Sequence, residues 1–203
     1  NNNTINDVAL YLVKAEIIKI PNASPTLIFQ KILEPKPKGK STIRQRTQLR
    51  EIERKRIEFW EILIEKIYNS FPEHANMIPQ KSSWIFQPTE KEGMRYAYVI
   101  KNDWASIELY FDHPDKQLNV KRFKELYKRK EEIDRKFNDI SWNLTDELEW
   151  DLNEERSHQS IRYRIDTTGL NGREVWDDLQ IKMIDAMKCL VESTEPYITS
   201  LPN

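Results

Sequence analysis

One cysteine in 203 residues, Cys189, excludes an internal disulfide and points to a reducing compartment. The 4 glycines form neither a phosphate-cradling loop nor a G-x-S-x-G elbow, so a nucleotide-binding loop and serine-type nucleophilic catalysis have no support. His74, His113 and His158 share no metal-ligand spacing, which leaves no zinc site to expect, and no cofactor is expected at all. No apolar run approaches the roughly 20 residues that span a bilayer, and no signal-peptide pattern opens the chain. The expectation is therefore a cytoplasmic protein without a membrane partner. A net charge of -1 also removes any bulk electrostatic case for nucleic acid.

What is present is a chain with 38% hydrophobic and 32% charged residues, a balance suited to a folded, helix-rich domain. Its charges are segregated. Between Lys36 and Arg56 nine basic residues face only Glu51 and Glu53, whereas Asp139 to Glu155 carries seven acidic residues and no basic one. Both runs read either as solvated faces or, for the basic one, as a phosphate-contacting stretch.

The longest run with period-two alternation is Ser82 to Asp112, which the turn signals Thr89–Gly93 and Asn102–Asp103 divide into three strands of a meander. With Asn102 and Asp103 as the two loop residues, Lys101 faces Trp104, and Ile100, Tyr98, Tyr96 and Met94 face Ala105, Ile107, Leu109 and Phe111. That face is uniformly apolar. The other carries Arg95, Ala97, Val99 and Lys101 against Tyr110, Glu108, Ser106 and Trp104, with Arg95 diagonal to Glu108.

Upstream, Val8 to Ile20 and Thr26 to Leu33 read as a β-hairpin about the turn Pro21–Pro25, and Glu34 to Ser41 (EPKPKGKS) reads as a solvated linker. The expected organisation is a hairpin over 1–34, a linker over 35–41 and an α+β domain over 42–203. Asn1 in place of methionine suggests a piece of something longer. A helix from Thr42 to Phe71 would bury Leu49, Ile52, Trp60, Leu63, Ile64, Ile67 and Phe71 and end at Pro72.

A second helix, capped by Asn119 and running to Phe137, would bury Phe123, Leu126, Tyr127, Ile133 and Phe137, with Lys121, Arg122, Lys124, Lys128, Arg129 and Lys130 outside. Leu148–Leu152 and Ser160–Asp166 alternate as a second hairpin, Leu148, Trp150 and Leu152 joining Ile161, Tyr163 and Ile165, with Glu149 and Asp151 near Arg162 and Arg164. A last helix, opened by the capping-box-like Asn171-Gly172-Arg173-Glu174, would bury Trp176, Leu179, Met183, Met187 and Leu190 and stop before Pro196. The fold class that follows is α+β: an antiparallel sheet of about five strands packed with three main helices.

Several of these segments (LREIERKRIEFWEIL, IELYFD, FKELYKRKEEIDRKF, LEWDL followed by SIRYRID, and EVWDDLQIKMIDAM) resemble a bacterial and archaeal domain of unknown function that follows PD-(D/E)XK endonuclease-like domains. The resemblance covers roughly Leu49 to Leu201, and YLVKAEIIKI, Tyr11 to Ile20, is similar to the segment that closes the upstream domain. It departs at the longer stretch Asn138–Glu147. It implies an upstream nuclease-like domain in the parent protein and no catalytic residues here. Such a nuclease needs an acid two residues before a lysine on a strand to hold Mg²⁺. Glu34-Pro35-Lys36 has that spacing, but in a linker.

Two constellations remain. Glu149 and Asp151 opposite Arg162 and Arg164 form either an acid/base site or, more simply, a cross-strand ion-pair ladder. Arg95, Lys101, Trp104 and Tyr110, continued by Arg162 and Arg164 and joined by Arg46 and Arg50 of the basic helix, form a nucleic-acid surface if the sheet face is open. If it is covered, Trp104 is packing. The expected function is a non-catalytic accessory domain with DNA contacts; the alternative is a protein-docking or homodimerisation module.

Overall fold

A computed structural model describes residues 12–18, 26–33, 43–140 and 147–203, with side chains described over 47–140 and 147–203. The described residues fall into two units divided between Gln45 and Arg46. In the first, β1 (Leu12–Ile18) pairs antiparallel with β2 (Thr26–Leu33). The expected linker, the Pro21–Pro25 turn, the Glu34-Pro35-Lys36 triplet and the side chain of Arg46 lie outside the described residues.

The second unit is α+β. Its sheet has the order β3-β4-β5-β7-β6, where β3 is Trp84–Pro88, β4 Met94–Ile100, β5 Trp104–Phe111, β6 Glu149–Asp151 and β7 Gln159–Asp166, and every neighbouring pair is antiparallel. The β4–β5 register is the expected one: Met94, Tyr96, Tyr98 and Ile100 sit opposite Phe111, Leu109, Ile107 and Ala105. Slipping by one residue would exchange the two faces and expose this whole ladder, which is what fixes the register.

The loop Asn102–Asp103 lacks glycine but is buttressed from outside. Backbone N–H groups of Leu170 and Asn171 donate to the carbonyls of Lys101 and Asn102, at 2.9 and 3.2 Å. Gly169, at φ +52°, permits this approach, because a Cβ there would lie 2.3 Å from the Lys101 carbonyl oxygen.

Four helices supply the buried apolar side chains that meet the ladder. Helix α1 (Ile43–Ser70) contains neither glycine nor proline and buries Phe59, Trp60, Leu63 and Ile67 completely. Trp60 Nε1 donates to the Ser82 carbonyl at 3.0 Å, which removes the penalty of burying an indole N–H. Leu49 departs from expectation at 56% exposed, since the fully buried stripe of α1 begins only at Phe59, a residue the helical pattern had not assigned to the core.

The expected second helix is two, α2 (Lys116–Tyr127) and α3 (Lys130–Ile140), because Arg129 N–H turns to the Leu126 carbonyl and breaks the α-helical ladder. Asp115, not Asn119, caps α2, its carboxylate accepting from Gln117 and Leu118 N–H. Asn119 is instead buried, bonded to His113 N–H, His113 O and Ser157 O. Arg122, expected outside, is also buried, and its guanidinium is satisfied by the carbonyls of Glu92 and Pro202. Tyr127 and Leu152, expected inside, are exposed.

Helix α4 (Trp176–Ile198) buries Trp176, Leu179, Met183, Met187 and Leu190 as expected, but both of its ends differ. Residues 169–171 and 173–175 form short 3₁₀ turns, and no side chain caps the helix, because Asn171 is drawn onto the Asn102 turn. The helix also runs through Pro196. Proline deprives the Glu192 carbonyl of its helical donor, and Lys136 Nζ, 2.6 Å away, takes that place.

Candidate binding face of the sheet

The second face of the sheet is built by the residues that alternate with the apolar ladder. Reading across the strands, one row is Trp84, Val99, Ser106 and Arg164. The next is Phe86, Ala97, Glu108, Arg162 and Glu149, and a third is Pro88, Arg95, Tyr110, Ser160 and Asp151. A concavity of about 370 Å³ opens on it, lined by residues of β3, β4 and β5 and their immediate ends, without a helix residue. The expected Arg95, Lys101, Trp104 and Tyr110 all line it. Its floor is Ala97 and Val99, small enough to leave room between the rings.

Each cation here already has a partner. Arg95 Nη2 lies 2.6 Å from Asp112 Oδ2, and its guanidinium stacks 4.3 Å above the Phe86 ring, so its partner is the Asp112 diagonal rather than the expected Glu108. Lys101 Nζ donates to Ser83 Oγ at 3.0 Å and stands 5.9 Å from the Trp104 ring centre. Arg164 places its guanidinium 4.7 Å from the same ring and pairs with Asp166 at 2.9 Å. Arg162 pairs with Glu149 at 2.5 Å and reaches Asp151 at 4.0 Å. Partial burial of Arg162 works against its charge, but the hydrogen bond and charge of Glu149, with Glu108 and Asp151, outweigh that and raise its pKa. The ladder geometry is thus an ion-pair network across β6 and β7. Arg164 stands apart from it, held by its own strand.

Two features escaped the sequence reading. Trp84 and Phe86 of β3 join the face as a stacked pair, ring centres 5.2 Å apart, with Trp84 40% exposed. Their place follows from pairing β3 to β4, a register no turn signal alone had set. The burial of Glu108 is the other: placed on this face by the register, it is buried at the centre, accepts from Ser106 Oγ at 2.7 Å, and sits opposite Arg162. Tyr110 stacks on His158 at 5.3 Å, and its hydroxyl pKa is raised by burial first, then by Asp112 and Glu108, with Arg95 opposing.

With Lys101 and Asp112 at the strand ends counted, the described strands gather on this face four cations (Arg95, Lys101, Arg162, Arg164) and five carboxylates (Glu108, Asp112, Glu149, Asp151, Asp166). A surface that tracks phosphates by charge carries an excess of cations, and this one does not. Arg50 is exposed on α1, whose buried stripe belongs to the apolar side of the sheet, so it does not join the face.

The edges of the sheet are blunted. Trp84 N–H is taken by Ser82 Oγ at 3.3 Å, Pro88 has no N–H, and the opposite edge strand, β6, is three residues long. A partner therefore meets the face more readily than the edge. Among the described residues no three His, Cys, Asp or Glu side chains gather as a metal site, and no helix is long and apolar enough to cross a membrane.

A two-layer α+β domain, helices on one side of an antiparallel sheet and a concave aromatic face on the other, is the class these features define. Residues 55–198, well over half of the chain, match the model of the family described as Domain of unknown function (DUF4268), and the chain belongs to that family. No curated protein and no solved structure matches it.

Proposed function

We propose that the chain is a non-catalytic accessory domain of a nuclease-like protein and that the sheet face left free by the described helices is its binding surface for single-stranded DNA. The observation that supports this reading is the concavity itself, where Trp84, Trp104 and Tyr110 surround an apolar floor and Arg95 and Lys101 stand at its edge. Partly exposed rings beside cations suit base stacking, which tolerates any sequence. Because the cations are already paired, stacking carries more of this affinity than phosphate contacts do. The association with a nuclease rests on the resemblance of Leu49–Leu201 to domains that follow PD-(D/E)XK modules, and catalysis is assigned to that upstream module.

The near-neutral charge of the face favours a second reading, the docking of a protein surface, a second copy included. Fluorescence anisotropy of a labelled single strand at two salt concentrations separates them. Saturable binding that weakens only modestly with salt supports the stacking surface. No binding at low salt, together with a concentration-dependent dimer in sedimentation, would transfer the face to protein docking.

A further inference from the structure

A second concavity, of about 320 Å³, lies between the turn that follows α1, the end of β3 and the last turns of α4. Its volume is in the range of sites that accept a small molecule or a side chain, roughly 300–1,000 Å³. Four exposed carboxylates, Glu73, Glu90, Glu192 and Glu195, belong to its lining, and among the described residues no lysine or arginine does. Carboxylates alone make only an acidic patch. What distinguishes this one is the imidazole beneath them.

His74 is 4% exposed, yet it lines the concavity. Its Nδ1 meets the buried Tyr98 hydroxyl at 3.3 Å, on the side away from the opening, since Tyr98 takes no part in the lining. Its Nε2, on the other edge of the ring, has no hydrogen-bond partner among the described residues. The Phe71 ring lies 4.3 Å and the Tyr96 ring 5.7 Å from the imidazole, so the walls are aromatic. Burial lowers the His74 pKa to about 4, which keeps the ring neutral near pH 7. In the tautomer that carries its one proton on Nδ1, facing the Tyr98 oxygen, the ring turns the lone pair of Nε2 towards the opening. The charge of Glu195 reaches inward as far as the Tyr96 hydroxyl, whose pKa is raised by burial first and by that carboxylate as well.

We propose that this concavity binds an organic cation, the alkylammonium or guanidinium group of a polyamine or of a basic side chain. Phe71 and Tyr96 lie against the cation, Glu192 and Glu195 balance its charge, and His74 Nε2 accepts an N–H at the base. An anionic ligand would meet four carboxylates, and a purely apolar one would leave Nε2 without a partner.

The test is an NMR titration of the full chain with spermidine and, separately, with the peptide acetyl-Gly-Arg-Gly-amide. The expected result is a saturable shift of the His74 and Tyr96 ring signals, with His74 Nε2 showing the ¹⁵N frequency of an unprotonated nitrogen at saturation. Affinity should fall about tenfold in the Glu192→Gln/Glu195→Gln variant, whose substituted side chains are exposed, so the fold is kept. The probe that saturates at lower concentration identifies the source of the cation. If neither probe moves His74, or if the double variant binds as tightly as the parent, the site is not a cation site.

Discussion

Replacing Trp104 by alanine asks whether the second sheet face is a binding surface or merely the back of the sheet. The ring is half-buried, held between the Arg164 guanidinium at 4.7 Å and the Lys101 ammonium at 5.9 Å. Truncating a fully buried tryptophan costs about 3–5 kcal/mol, so this half-buried one should cost roughly 1–2, with about 0.5–1 of that from the two cations. For a domain of this size each kcal/mol lowers Tm by about 2–4 °C, which predicts a fall of roughly 2–8 °C. Trp60→Ala is the internal standard, since Trp60 is fully buried and bonded to Ser82, and it should lose about twice as much or more. Binding of a single strand should weaken by about 1–3 kcal/mol, one to two decades in Kd. Melting curves and anisotropy on the same two variants decide the matter. A Trp104→Ala protein that melts like Trp60→Ala, or that binds DNA as the parent does, would refute the stacking role.

Acid should destabilise the domain through His74. Its folded pKa of about 4 lies below the unfolded 6.5, so between those values the unfolded chain binds more protons and stability rises with pH. The contribution is complete above about pH 6.5 and is lost as pH falls towards 4, up to roughly 3 kcal/mol; His74→Gln should flatten that part of a urea-unfolding profile. Gly169→Ala should cost at least about 1–3 kcal/mol, from the left-handed backbone alone and more from the clash with the Lys101 carbonyl, read as a lowered urea midpoint. Asn119→Ala should cost about 2–4 kcal/mol, because the backbone groups of His113 and Ser157 lose their bonds inside the domain. Incubated with Mg²⁺ or Mn²⁺, the chain should leave DNA intact on a gel; cleavage abolished by replacing one of its own carboxylates would contradict the accessory role.

Local periodicity was enough to determine much of this protein. Alternation from Met94 to Phe111 together with a two-residue loop fixes one register, because the apolar ladder can be buried in only one way. From that register the sequence also placed Arg95, Lys101, Trp104 and Tyr110 on the opposite face, where they line one concavity. The stripes of α4 and of most of α1 followed from helical spacing for the same reason. What periodicity does not carry is the identity of a distant partner. Pro196 reads as a stop until Lys136, on another helix, replaces the missing donor. Asn119 and Arg122 read as cap and surface charge until the carbonyls that satisfy them arrive from loops and the C-terminal segment. The charge balance of the second sheet face, and a His74 nitrogen with no hydrogen-bond partner among the described residues beside four carboxylates, likewise exist only once strands and helices far apart in sequence are packed together. Pairing energies depend on distance in space, and only the tertiary structure sets that distance.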